Sequence, residues 1–101
     1  MQTEINRYKV NADVQAILVR HAADLGKVSF SFTGQSLYLS GSLLRSPAGE
    51  FKPEEVRALA DELRRHPAVR AIQYELDNWV VTQEFGVFAA THKDELEKRR
   101  R

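Results

Sequence analysis

Cysteine is absent from the 101 residues, which removes disulfide staples, thiol nucleophiles and thiolate metal sites from consideration. No charge of one sign dominates. The formal net charge is +1, and Lys93–Arg101 holds five basic and three acidic residues, leaving ten basic against eleven acidic in Met1–His92. A nucleic-acid footprint usually shows as a basic body or stripe, and this body is neutral. Long apolar runs are also missing. Nothing approaches the roughly 20 residues that a membrane-crossing helix needs, and the opening MQTEINRYKV lacks the apolar centre of a signal peptide. On that basis the chain is expected either to stay in the cytoplasm or to be a mature or excised piece. Glycine is sparse, and Gly34, Gly41 and Gly49 form no phosphate-cradling sequence.

What is present begins with Val28–Leu43. Val28, Phe30 and Phe32 alternate with Ser29, Ser31 and Thr33, and Leu37, Leu39 and Leu43 alternate with Tyr38, Ser40 and Ser42. Each run has one apolar face, as a half-buried strand requires. With Gly34-Gln35 as a two-residue turn, glycine supplying the positive φ, Phe32 faces Leu37, Phe30 faces Leu39 and Val28 faces Gly41. That register puts every apolar side chain on one side, and a one-residue slip would turn one arm inside out. Such a hairpin needs a cover.

Two helices can supply it. Asn11 as N-cap, the stripe Val14, Ile17, Leu18, Ala22, Leu25 and Gly26 at the C′ position predict a first helix over 12–25. The second has the stronger signature: Pro53 at N1, Glu54 and Glu55 in the positive first turn, the stripe Val56, Leu59, Ala60, Leu63, and Pro67 as a stop. Phe51 against Val56 makes a hydrophobic staple. A third strand is expected from Val69 to about Val81. The predicted fold is α+β, ordered αββαβ, with a mixed three-stranded sheet and both helices packed on one face. The division that follows is an N-terminal arm or short strand over 1–10, the α/β domain over 11–82, and a C-terminal extension with a basic end over 83–101. In the extension, a short helix from about Thr91 is expected, with Thr91 as N-cap.

The run Leu37-Tyr38-Leu39-Ser40-Gly41-Ser42-Leu43, the helix Glu55-Val56-Arg57-Ala58-Leu59-Ala60, and Pro67-Ala68-Val69-Arg70-Ala71-Ile72 leading to Leu76 and Asn78 resemble a BON domain, a small bacterial module. The resemblance spans about Asn11 to Asn78 and rests on structural motifs. It implies a non-enzymatic, often exported module that attaches to phospholipid membranes or assembles with envelope components, and so a periplasmic setting. Similar small folds build stacked rings. The loop Leu44–Lys52 is longer than the family's usual link.

No residue set carries a catalytic signature. His21, His66 and His92 lie on separate elements without an i, i+4 pair, so neither metal binding nor acid–base work is expected. His66 reads as a cation at a helix C-terminus. Glu54 and Glu55, adjacent on a helix, do not face each other. No cofactor or metal is expected. Lys93, Lys98, Arg99, Arg100 and Arg101 can meet anionic headgroups, or simply aid solubility. Trp79, Phe85 and Phe88 can anchor a membrane or a partner, or cover the sheet within the monomer. Ser29, Ser31, Tyr38 and Ser40 form the outer sheet face. Tyr38 beside Arg70 gives a weaker single-stranded nucleic-acid reading. The expected function is attachment to anionic phospholipid or an envelope protein, with self-assembly or docking into a larger complex as the competing reading.

Overall fold

The computed structural model describes residues 7–84 and 86–99, and of 84 and 97–99 the backbone alone. The elements run α1 (Arg7–Arg20), β1 (Val28–Thr33), β2 (Ser36–Gly41), α2 (Pro53–Arg65), β3 (Ala71–Leu76), β4 (Trp79–Glu84), β5 (Val87–His92) and α3 (Lys93–Arg99). Strands β1, β2 and β3 form one sheet in that order, antiparallel between β1 and β2 and parallel between β2 and β3. The α+β class and the mixed three-stranded sheet match expectation, and β4–β5 forms a separate antiparallel pair beside them.

The first hairpin has the predicted register, with Val28 opposite Gly41, Phe30 opposite Leu39 and Phe32 opposite Leu37. Gly34 sits at φ 64° in the turn. At the far end, Gly41 has φ 90°, and a Cβ there would lie 2.4 Å from the Lys27 carbonyl oxygen. Only glycine fits so close an approach, which lets the Ser42 N–H donate to that oxygen at 2.9 Å. The core lies between the apolar sheet face and the two long helices. Val10, Val14, Ile17 and Leu18 of α1 and Val56, Leu59 and Leu63 of α2 join Val28, Phe32, Leu37, Leu39 and Leu76 in one cluster. Each large aliphatic side chain so buried contributes on the order of 1.5–3 kcal/mol.

Helix α1 departs from the predicted limits. It already includes Arg7–Val10, with Val10 3% exposed, where an arm or short strand was expected. It ends at Arg20 rather than Leu25, because the following residues pair with the α2-side loop: Asp24 donates to Leu44 O, Ser46 donates to Ala22 O, and Ala23 bridges Arg45. Ala22, at φ 63°, takes the left-handed position usually given to glycine. Ala22 N–H donates to Val19 O and Ala23 N–H to Leu18 O, both at 2.9 Å, which is the Schellman pattern. Gly26 instead donates to Asp24 Oδ1 in a local turn. Helix α2 keeps its predicted start, and Glu55 Oε1 accepts from the Lys52 N–H at 2.8 Å.

The single strand expected over 69–81 is two, broken at Asp77-Asn78. Asn78 turns its side chain back to the segment that leaves β2, accepting from Leu43 N–H at 3.0 Å and donating to Leu43 O at 2.9 Å. The expected C-terminal extension over 83–101 therefore contributes strand β5 and helix α3 to the folded body. Thr91 lies in β5; His92 caps α3, its Nδ1 accepting from the Asp94 N–H at 3.1 Å.

Candidate functional site at the open sheet

The three histidines serve as clasps between elements. His66 closes α2, where Nδ1 accepts from the Ala68 N–H at 3.1 Å and Nε2 lies 2.8 Å from Asp13 Oδ2. Both ring nitrogens are thus engaged, Nδ1 by the Ala68 amide and Nε2 by the Asp13 carboxylate. The His66 bond, with help from Lys9, holds the Asp13 carboxyl below its usual range. His92 repeats the arrangement, with Nε2 2.7 Å from Glu50 Oε1. His21 Nε2 lies 2.7 Å from Glu62, a carboxylate shared with Arg20. Burial pushes the His21 pKa down, and the Arg20 charge adds to that shift. Each pairing ties α2 or its leading loop to another element. Among the described residues, no group of three His, Asp or Glu side chains can hold a metal.

Of the three aromatics that could either anchor a partner or cover the sheet within the monomer, Trp79 and Phe88 are described. Trp79 is 2% exposed and belongs to the core, its ring edge-on to His92 at 5.2 Å. Its role is to seat β4 rather than to enter a membrane, because a side chain already removed from water has no further area to bury. Phe88 is half-buried under the Arg57 guanidinium, 5.6 Å from the ring centroid. Phe85, Arg100 and Arg101 lie outside the described residues, as do the side chains of Lys98 and Arg99. Lys93 is exposed at the start of α3. No helix among the described residues is long and apolar enough to cross a membrane.

The outer face of the three-stranded sheet is, by contrast, uncovered. Ser29 and Ser31 are exposed, Tyr38 is 37% exposed and Ser40 is half-buried. The register sets Tyr38 between Ser31 and Gln73, and Ser40 between Ser29 and Glu75. This polar face is what an antiparallel pair presents when only one side is packed. Arg70 does not stack beside Tyr38; it precedes β3, its N–H donating to Gln35 O at 2.8 Å.

Beside that face lies a cleft of about 620 Å³, lined by Arg64, Val69–Tyr74, Val81 and Gln83. It opens because β4 turns away from β3 at Asp77-Asn78 and pairs with β5 instead. Sequence reasoning placed none of these residues in a site except Arg70. The Asp77-Asn78 pair, two turn-forming residues inside an apolar run, was the available signal. Comparison with protein-family models, with characterised proteins and with solved structures finds no match for this chain.

Proposed function

We propose that the chain is a non-enzymatic docking module of BON-like organisation, which seats a protein partner against the open side of its three-stranded sheet. The observation that carries this reading is the contrast between a sheet whose helix side is closed by a dry core and whose other side and β3 edge are left uncovered. Unpaired strand edges are sites of association unless protected. Lipid attachment, the competing reading, draws less support, because Trp79 is core and Phe88 lies under Arg57.

A random-peptide library selected on the immobilised chain tests the reading, with amide chemical shifts mapping each recovered peptide. Peptides that perturb β1–β3 amides are the expected result. Recovery of no sheet-binding peptide, together with co-sedimentation on phosphatidylglycerol vesicles but not on phosphatidylcholine alone, would overturn it in favour of lipid attachment.

A further inference from the structure

Strand β3 is bonded to β2 on one side only. Ala71 N–H donates to Gln35 O and Asp77 N–H to Gly41 O, so the odd-numbered residues turn their backbone groups toward β2. By the two-residue alternation of a strand, Ile72 and Tyr74 turn theirs the other way, into the cleft. An N–H and a C=O presented by the same residue, repeated two residues on, match the edge of another peptide chain. A phosphate backbone, which carries acceptors only, would meet the carbonyls unfavourably.

The charged side chains among the described residues that line the cleft are both basic. Arg64 and Arg70 line the cleft, and none of its lining residues is acidic. Arg64 is already engaged: Asp61 lies 3.6 Å from it, and Gln83, with its amide oriented to suit both groups, accepts from Nη1 and Nη2 at 2.9 Å. Arg70 is exposed and has no ion-pair partner among the described residues. The Tyr74 hydroxyl is buried without a hydrogen-bond partner there, and that burial pushes its pKa up to about 12, so the group is a neutral donor at every ordinary pH. The lined stretch from Arg70 to Tyr74 extends about 13 Å, enough for a strand of several residues.

We infer that this cleft takes an extended acidic peptide segment, which adds to the outer edge of β3 through Ile72 and Tyr74 and sets a carboxylate against Arg70. The inference rests on the docking reading above and names where and what the sheet binds. Backbone pairing would supply affinity, and the arginines the preference among sequences.

The test uses the full chain and two fluorescent peptides, one alternating valine with glutamate and the other valine with lysine, read by anisotropy. The glutamate peptide is expected to bind at least about tenfold tighter. Arg70→Glu should erase or reverse that preference. Ile72→Pro, which removes an outward N–H without touching the β2 ladder, should abolish binding of both. Should Ile72→Pro not fold, Arg70→Glu decides alone. Equal binding of the two peptides, an unchanged preference in Arg70→Glu, or a homothymidine oligonucleotide bound in their place would overturn the inference. Library peptides that shift Ser31 and Tyr38 but not Ile72 or Tyr74 would also overturn it, while leaving the docking reading standing.

Discussion

The β1–β2 and β4–β5 hairpins each pair six residues with six, the first across Gly34 and the second across a turn containing Gly86 at φ 78°. Their burial differs. In the first, Val28, Phe32, Leu37 and Leu39 are all at or below 4% exposure. In the second, Trp79 is buried, Val81, Phe88 and Ala90 are partly covered, and Val80 and Val87 face outward at 38% and 66%. One hairpin is a wall of the core. The other is held on by a tryptophan, a histidine pair to Glu50 and a phenylalanine beneath Arg57. Strand pairing alone thus says little about how firmly a hairpin is fixed; the area it removes from water decides.

The largest expected effect tests that contrast directly. Trp79→Ala should cost about 4 kcal/mol and Leu37→Ala about 3 kcal/mol in denaturant unfolding. In amide exchange, Trp79→Ala should speed β4–β5 selectively, whereas Leu37→Ala should speed the whole sheet. Uniform acceleration in both variants would break the comparison. Next in size, Gly41→Ala should cost about 2 kcal/mol, because φ 90° and the Lys27 carbonyl both oppose a Cβ. Its measure is the midpoint shift in the same titration.

Mild acid probes the helices that cover the first hairpin. The folded His21 pKa lies below its ordinary 6.5, so the unfolded chain takes up that proton first. Stability should therefore fall as pH drops below 6.5 toward the lower folded value. His21→Gln should flatten that stretch of the melting-temperature profile. Asp13 acts lower down: its contribution is present above 3.8 and is lost as pH falls through its depressed folded value. Smallest of all, Val87→Ser should change stability by less than about 0.5 kcal/mol, since this side chain lies mostly in water.

The same contrast explains what could be read in advance. Phe30, Phe32, Leu37 and Leu39 alternate cleanly around a glycine, so pattern and turn chemistry agreed on a register that the fold adopts residue for residue. Helix α2 was legible for the same reason, since Pro53, the first-turn acids and the apolar stripe all marked the same limits. Around Trp79-Val80-Val81 the apolar run is continuous, and which side faces inward is set by pairing with β5 and by packing on the core, a non-local fact that no short pattern records. The end of α1 was hidden differently. Gly26 is the orthodox stop, yet pairing of Asp24 with Leu44 and of Ser46 with Ala22 sets the stop four residues earlier, on an alanine. Tertiary bonds there outweigh a local preference worth about 1 kcal/mol. The cleft was least legible, since it arises from a pairing that β3 and β4 do not make.

The parallel register of β2 and β3 fixes a separation of 35 residues between partners, from Ser36 with Ala71 to Gly41 with Leu76. On a ribosome adding about 5–20 residues per second, β2 emerges roughly 2–7 s before the strand that completes it. During that interval the Leu37 and Leu39 edge has only β1 beside it, although the β1–β2 hairpin itself can close within microseconds. The nascent chain thus passes through a stage in which the future centre of its sheet is an edge, and the serine-rich outer face of β1 and β2 keeps that early hairpin wet on one side while α2 and β3 are still being made.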